Sequence, residues 1–255
     1  MENSLLIGLS RQISLQRELA VVSNNVANMN TTGYKAGGAI FEEFLMPGAR
    51  ATQFSGKDQR LSFVQDRATF HDFSAGPVRQ TGNPLDVAID GDAFMVVQTQ
   101  RGERYTRNGA LQINNTGALV TASGDPVLGD GGPIQFQPGD RDISINATGT
   151  ITARQGASAT ESPRGRLRLV NFAQMQRLQS DGASTFTAPT GTQAQPVDGK
   201  VRVVQGAIEQ SNVRGVVEMS RMIEVTRGYS QVAALLQQQG DIRRSSIERL
   251  AEVPA

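Results

Sequence analysis

Helical patterns at both ends of the chain enclose a middle that lacks them, and this order limits the fold more than any other feature. Near the N-terminus, apolar residues recur at helical spacing and form a narrow stripe, which predicts one amphipathic helix. The stripe consists of Leu5, Leu9, Leu15, Leu19, Val22 and Val26. The Asn-rich run from Asn25 to Gly33 follows it. Because Asn and Gly tolerate left-handed backbone, this run predicts the end of the helix, with Gly33 at positive φ.

The C-terminal end predicts a longer helix that begins near residue 216. Seven apolar residues fit one heptad frame, which Thr226, Gly240 and Arg243 interrupt: Met219, Met222, Tyr229, Ala233, Leu236, Ile247 and Leu250. Ser211 and Asn212 lie just before this pattern and are candidate N-cap residues;. Since each helix has one narrow apolar stripe, the two are predicted to pair as a coiled-coil-like inner domain made of residues 1–33 and 210–255.

Residues 81–209 are predicted to form a central antiparallel β domain. Short runs of β-branched and aromatic residues alternate with turn dipeptides about every 8–12 residues, as in barrels and sandwiches. The strand runs are Leu85–Ile89, Phe94–Gln98, Leu119–Thr121, Ile143–Ile145 and Arg166–Phe172. The turn signals include Asp90-Gly91, Asn108-Gly109, Thr116-Gly117, Ser123-Gly124 and Thr148-Gly149.

Residues 34–80 join the first helix to the β domain, and we predict an extended, partly irregular connector. Six phenylalanines argue against a flexible linker, because apolar rings are costly to leave in water. They are Phe41, Phe44, Phe54, Phe63, Phe70 and Phe73. The connector is therefore predicted to pack against another part of the protein.

This α+β arrangement, with terminal helices around a β domain, indicates assembly. A two-stranded coiled coil with few charges to set its register is marginal alone, and copies of the same pair can cover its remaining apolar edges. The pattern alone leaves three outcomes open. They are a closed oligomer, an open helical filament, and a two-domain soluble protein whose helices form a dimerisation stalk.

Composition excludes several function classes. The net charge of +1 over 255 residues is too small for a general nucleic-acid-binding protein;. With no cysteine and His71 as the one histidine, disulfides, thiolate metal sites and His-cluster sites are ruled out;. Asp86, Asp90 and Asp92 alternate around a strand and turn, but their spacing does not match a Ca²⁺-binding loop;. We therefore predict that the protein is not an enzyme and needs no metal or cofactor.

The N-terminal region does not match a secretory signal peptide, because Glu2 stands where a basic start is usual and the apolar run Leu5–Ile7 is short;. No segment approaches the roughly 20 apolar residues of a membrane span, so no membrane insertion is predicted. The chain is expected to be cytosolic or to leave the cytosol by a route that keeps its N-terminus.

Three sequence blocks resemble the bacterial flagellar rod, hook and hook-associated axial proteins, and together they cover nearly the whole chain. The first is Asn24-Asn25-Val26-Ala27-Asn28 followed by Asn30-Thr31-Thr32-Gly33-Tyr34-Lys35. The second runs from Gly82 to Gly91 and continues in Tyr105-Thr106-Arg107-Asn108-Gly109 and the hairpins after it. The third runs from Gln205 to Val213 and on through Glu218-Met219 and Met222-Ile223-Glu224-Val225.

Within this family, the modest β domain and the segments Met1–Asn3 and Gly131–Ile134 look most like the proximal rod member. The resemblance implies a structural subunit that leaves the cell through the flagellar export apparatus with an uncleaved N-terminus. It implies assembly in the periplasm, with itself and other rod proteins, into a helical tube that encloses the export channel and transmits torque. The alternatives are a distal rod subunit and a periplasmic cell-wall-binding β protein. The latter would have few sugar-stacking rings, because the chain has no Trp and three Tyr.

The predicted assembly interface combines the apolar seam of the terminal helices with the Asn-rich motif. Its residues are Leu5, Leu9, Leu19, Val22, Asn24, Asn25, Asn28, Asn30, Gly33, Met219, Met222, Tyr229 and Leu236. The apolar members can serve an intrachain core, contacts between copies, or both. The asparagines can either bond across subunit boundaries, as buried Asn does in coiled coils, or cap the first helix locally.

Overall fold

The computed structural model describes residues 2–45, 62–156, 160–182, 184–197 and 199–251. The chain divides into two compact units. The helical unit comprises Met1–Ala27, Gly37–Phe70 and Arg214–Ala255. The β unit comprises Asn28–Ala36 and His71–Val213.

Two long helices form most of the helical unit, and both lie where the terminal patterns predicted them. Helix α1 spans Glu2–Ala27 and helix α2 spans Gly215–Ala251. The N-cap prediction was wrong, because α2 begins at Gly215 and the side chains of Ser211 and Asn212 bond elsewhere. Asn212 instead accepts a hydrogen bond from the Ala36 amide at 2.7 Å, within the β unit.

The described part of the connector, residues 34–45 and 62–80, is extended as predicted but more regular than predicted. Strands β1 (Gly37–Leu45) and β2 (Ser62–His71) pair as a two-stranded sheet. Of the six phenylalanines, Phe73 lies buried in the β unit and Phe70 is 38% exposed. The side chains of Phe41, Phe44, Phe54 and Phe63 lie outside the described residues.

The β unit contains short antiparallel strands, as the turn spacing predicted. They are β3 (Val78–Gln80), β4 (Val87–Asp90), β5 (Phe94–Thr99), β6 (Gly102–Thr106), β7 (Leu111–Ile113), β8 (Leu119–Thr121), β9 (Leu128–Gly129), β10 (Gly132–Pro133), β11 (Asp140–Ile145), β12 (Thr150–Gln155), β13 (Glu161–Arg166), β14 (Leu169–Asn171), β15 (Gln179–Ser180), β16 (Thr185–Thr187), β17 (Gln195–Pro196), β18 (Arg202–Gln205) and β19 (Ala207–Glu209). A short 3₁₀ turn, Met175–Arg177, precedes β15. The predicted strand Arg166–Phe172 is divided between β13 and β14.

The largest sheet has six strands in the order β15-β16-β6-β5-β14-β17, and β11-β12-β13 form a second sheet. The remaining described strands of this unit pair two by two: β9 with β10, β4 with β18, β3 with β19, and β7 with β8. Strands β18 and β19 come from the far end of the β unit's sequence and pair with β4 and β3 near its start. The last strands of the β unit therefore pair with its first strands.

Strand β5 separates two hydrophobic cores. Successive side chains of a strand point to opposite faces of its sheet. Met95 and Val97 accordingly belong to one buried cluster, whereas Phe94 and Val96 belong to another. All four side chains are fully buried, which explains why the sequence here is an uninterrupted apolar run rather than an alternating one.

Candidate assembly interface

Helices α1 and α2 lie side by side in antiparallel order within the helical unit. Four contacts show the order: Gly8 with Leu236, Gln12 with Tyr229, Glu18 with Arg221, and Asn25 with Glu218. The helices approach closely at Gly8, where a Cβ atom would lie 2.7 Å from Leu236 Cδ2. A glycine at this position therefore lets the two helices come together.

The seam between the helices buries few residues. Leu15, Val22 and Val225 are the described apolar side chains of these helices that are at most 5% exposed. Four predicted interface residues are half-buried on the described seam or beside it: Leu19, Met222, Tyr229 and Leu236. Among the predicted apolar interface residues whose side chains the structure describes, Val22 is thus the one that is buried within the chain.

Each helix also carries apolar side chains on its outer side. On α1, Leu6, Leu9 and Ile13 are 47%, 44% and 56% exposed, and we call these three the α1 patch. On α2, Val216, Met219 and Ile223 are 82%, 44% and 54% exposed, and we call these three the α2 patch. Other apolar side chains of the two helices are exposed as well: Ile7, Val217, Leu235, Ile242 and Ile247. The predicted interface residues Leu9 and Met219 therefore lie on exposed patches and not in the seam.

The asparagines of the motif occupy different environments. Asn25 is buried, and its carboxamide bonds both backbone groups of Gly37, donating to the carbonyl and accepting from the amide at 2.8 Å each. Asn28 accepts a hydrogen bond from the Thr31 hydroxyl at 3.1 Å, whereas the side chains of Asn24 and Asn30 are exposed. The side chain of Leu5, the remaining predicted residue, lies outside the described residues.

Sequence reasoning missed a cluster of three buried charges in the β unit, which we call the clasp. It consists of Lys35, Arg107 and Glu209, each at most 2% exposed. Glu209 Oε1 accepts hydrogen bonds from Lys35 Nζ at 2.6 Å and from the Gly76 amide at 2.8 Å. Glu209 Oε2 accepts one from Arg107 Nε at 2.8 Å. One carboxylate thereby joins residues from the beginning, middle and end of the β unit.

The two cations of the clasp are also bonded to backbone carbonyls. Lys35 Nζ donates to Ser74 O at 2.6 Å, and the Arg107 guanidinium donates to Ile89 O and Gly91 O at 3.0 and 2.9 Å. Buried polar groups are stable only when they are hydrogen-bonded in this way. The clasp is therefore one connected hydrogen-bond network, and it forms only when all the contributing segments of the chain are in place.

Electrostatics favour the ionised carboxylate in the clasp. Burial, the largest single influence, raises the pKa of Glu209, but the charge of Arg107 and the hydrogen bond from Lys35 outweigh it and lower the pKa overall. Burial also lowers the pKa of Lys35, against the attraction of Glu209. Glu209 is thus the charge on which both cations depend.

Gly33 has the positive φ that was predicted for it, +67°. Its amide donates to Glu209 O at 2.8 Å, and a Cβ atom there would lie 2.5 Å from the backbone carbon of Arg107. Glycine is therefore required both by the conformation and by the close approach of the chain.

A sequence signal for the clasp was present. Lys35, Arg107 and Glu209 each fall in one of the three sequence blocks that carry the family resemblance. Each block was interpreted only in terms of its own backbone or helix. An ion pair between opposite charges in different blocks was therefore not predicted. Only the fold places these residues, 72 and 102 positions apart along the chain, around one carboxylate.

Neither α1 nor α2, the two helices that the structure describes, is long and apolar enough to cross a membrane. Among the described residues, no group of three or more His, Asp or Glu side chains is placed to hold a metal ion.

Family models match three parts of the chain. The model described as flagella basal body rod protein matches residues 5–35, and the flagellar hook protein FlgE/F/G D1 domain matches residues 88–153. The flagellar basal body rod FlgEFG protein C-terminal model matches residues 204–249. The three matches contain Lys35, Arg107 and Glu209, one in each.

Curated relatives match along nearly the full length. The flagellar basal-body rod protein FlgF of Caulobacter vibrioides is 37% identical over 256 residues, which cover 99% of this chain and all of the relative. FlgF of Escherichia coli (strain K12) is 35% identical over 238 residues, 90% of each chain. The rod protein FlgG of Bacillus subtilis (strain 168) is 31% identical over 243 residues, 90% of this chain and 92% of the relative. Since these relatives are more than 30% identical and the matches cover at least 90% of each chain, the chain belongs to the flagellar basal-body rod protein family.

Proposed function

We propose that this protein is a structural subunit of the bacterial flagellar basal-body rod, without catalytic activity, and that its helical unit binds neighbouring subunits. The observation that carries the proposal is the pair of exposed apolar patches on α1 and α2 in a chain of the rod family. Contiguous apolar surface of this kind is a mark of protein–protein contact.

In this proposal, α1 and α2 belong to a coiled-coil-like inner domain of residues 1–33 and 210–255, and residues 81–209 form a separate β domain. The narrow seam supports this role, because a pair that buries so little is marginal alone and gains stability when copies cover its outer sides. The assembled subunits form a helical tube that encloses the export channel and transmits torque.

The partners that follow are further copies of this chain, other rod proteins, and the flagellar export apparatus during transit. The assembled protein is located in the periplasmic part of the basal body with an uncleaved N-terminus. Mass spectrometry of the chain recovered from isolated basal bodies tests the last point. A mass that corresponds to a chain starting at Met1 or Glu2 agrees with export without cleavage. A mass that lacks some 20 residues from the N-terminus contradicts it.

We place the subunit in the proximal part of the rod, with the distal part as the second candidate. Relatives named FlgF and FlgG both match, and the highest identity among those described here belongs to a FlgF. A gold-labelled tag on the subunit, imaged in isolated basal bodies, separates the two positions. Label in the half that borders the hook would support the distal assignment.

The function is tested by making both patches polar in flagellated cells that lack the native gene product. Leu9→Asp combined with Met219→Asp should abolish swimming and leave the chain out of isolated basal bodies, because two charges replace apolar contacts between subunits. The β unit should stay folded, since neither residue belongs to it.

The matched control is Gln16→Asp combined with Gln231→Asp, which adds the same charges at exposed polar positions of the same helices. This control should swim. Normal swimming of the patch variant, or equal loss in both variants, would contradict a role of the patches in assembly.

A further inference from the structure

The two helices share a short sequence repeat that places the patches in equivalent positions. The pattern Leu/Met-Ser-Arg-x-Ile-x-Leu/Val-x-Arg occurs at residues 9–17 of α1 and again at residues 219–227 of α2. Relative to the buried Leu15, the α1-patch residues lie nine, six and two positions earlier. Relative to the buried Val225, the α2-patch residues lie at the same three offsets. The helix pair therefore has an approximate two-fold symmetry.

This spacing sets the direction of each patch. At 3.6 residues per turn, the three offsets lie roughly 120–180° around the helix from the buried residue. Each patch therefore points away from the seam, on the outer side of its own helix. An α-helix with apolar residues on two opposite sides is suited to lie between two neighbours.

The antiparallel order puts the patches at opposite ends of the pair. The α2 patch lies beside the part of α1 that contains Glu18 and Asn25, since these contact Arg221 and Glu218. The α1 patch lies where Gly8 meets Leu236. At a rise of 1.5 Å per residue, the centres of the two patches are about 20 Å apart along the helix axes.

We propose that the α1 patch of one copy binds the α2 patch of the next copy, with the two helices antiparallel. This inference rests on the proposed function. A contact between unlike patches is heterologous, so each copy uses one patch toward each neighbour and the array stays open. Contacts between like patches would close two copies into a dimer, which leaves the other patch of each copy uncovered.

The symmetry of the pair supports the antiparallel direction. A neighbouring copy in a similar orientation presents its α1 to the outer side of α2 in the direction that α1 already has within the chain. The contact between copies then has the same antiparallel direction as the contact within a copy, although its register differs, and every helix lies between two antiparallel partners. The facing positions are Leu6 with Ile223, Leu9 with Met219, and Ile13 with Val216.

Cysteine cross-linking tests this pairing cleanly, because the chain has no cysteine of its own. Cells would produce two tagged copies, one with Ile13→Cys and one with Val216→Cys, and isolated basal bodies would be oxidised and run on a non-reducing gel. We expect a dimer that carries both tags. Leu9→Cys with Met219→Cys is a second pair, in case one substitution disturbs assembly. A disulfide within one chain is excluded, because each copy carries a single cysteine.

The control again places one cysteine in each patch, but at two positions that do not face each other in the proposed pairing. Leu6→Cys with Val216→Cys should give no dimer, since antiparallel packing separates these positions by about 10 Å, two helical turns. Dimers from a single variant alone would overturn the pairing of unlike patches. The pairing is also overturned if variants present in the basal bodies do not cross-link. Absence of even the cysteine-free chain from basal bodies would instead count against the proposed function itself.

Discussion

The helical unit and the β unit are built on opposite principles. The β unit buries two hydrophobic cores and a network of three charges, so its own residues satisfy one another. The helical unit buries a thin seam and leaves the α1 and α2 patches in water. The difference teaches that the β unit buries its apolar surface within one chain, whereas the helical unit leaves apolar surface that the proposed assembly would cover.

The largest difference between the helical unit and the β unit should appear in amide hydrogen exchange of the dilute, purified chain. Amides of α1 and α2 should exchange with opening free energies near zero, because most of the stability of a helix in a protein comes from tertiary packing and this pair has little of it. Amides of β4, β5 and β18 should approach the global unfolding free energy, on the order of 5–15 kcal/mol. Equal protection of both units in a monomer would remove the contrast and show that the seam is sufficient by itself.

Removing the charge of Glu209 should have the largest effect of any single substitution in the β unit. Glu209→Gln leaves Lys35 and Arg107 buried without their carboxylate, which should cost about 3–5 kcal/mol of unfolding free energy. The measurement is urea unfolding followed by circular dichroism. Glu161→Gln is the control, because its ion pair with Arg154 is about half exposed and worth about 0–1 kcal/mol;. Similar losses in both variants would mean that the clasp adds little.

A comparison of two glycines tests how much close packing contributes to the stability of the β unit. Gly33 and Gly82 both have left-handed backbone, with φ of +67° and +73°. A Cβ atom at Gly33 would clash with the Arg107 backbone, whereas none of the atoms around Gly82 lies within 4 Å of such a Cβ. Gly82→Ala should cost about 1–2 kcal/mol from conformation alone.

Gly33→Ala should cost about 1–3 kcal/mol more than Gly82→Ala, because overpacking is added to the conformational strain. Thermal unfolding of the two variants side by side gives the difference directly. Equal costs would show that the chain around Gly33 can shift without loss.

The smallest predicted effect is the acid dependence of the β unit. Since the pKa of Glu209 is lowered in the folded state, its contribution is present above the unfolded pKa of about 4.3 and is lost as pH falls through the folded value;. Urea midpoints measured at decreasing pH below about 4 should therefore fall more steeply in the native chain than in Glu209→Gln. Asp140, whose pKa is lowered by its hydrogen bond from Arg164, contributes acid dependence in both. Parallel pH profiles would mean that Glu209 does not titrate with folding.

Prediction from the sequence was best where a pattern repeats locally. The helix at Glu2–Ala27, the helix at Gly215–Ala251 and the apolar strand at Phe94–Thr99 follow from spacing and side-chain type. It was weaker where one local signal has several structural uses. Asn212 was interpreted as a cap and bonds Ala36 instead, since an amide can satisfy any nearby backbone group;. The domain boundaries and the roles of the assembly-interface residues remain predictions.

The sequence by itself determined the two terminal helices, the antiparallel β middle and the family, because periodicity, turn residues and motif blocks are local properties of the chain. Only the tertiary structure decided which apolar residues are covered and which charges meet. Leu9 and Leu15 have the same chemistry and belong to the same stripe, yet Leu15 is 4% exposed and Leu9 is 44% exposed. Likewise, Lys35, Arg107 and Glu209 become one network only when strands distant in sequence pair. Burial and charge pairing depend on contacts across the fold, which no local pattern contains.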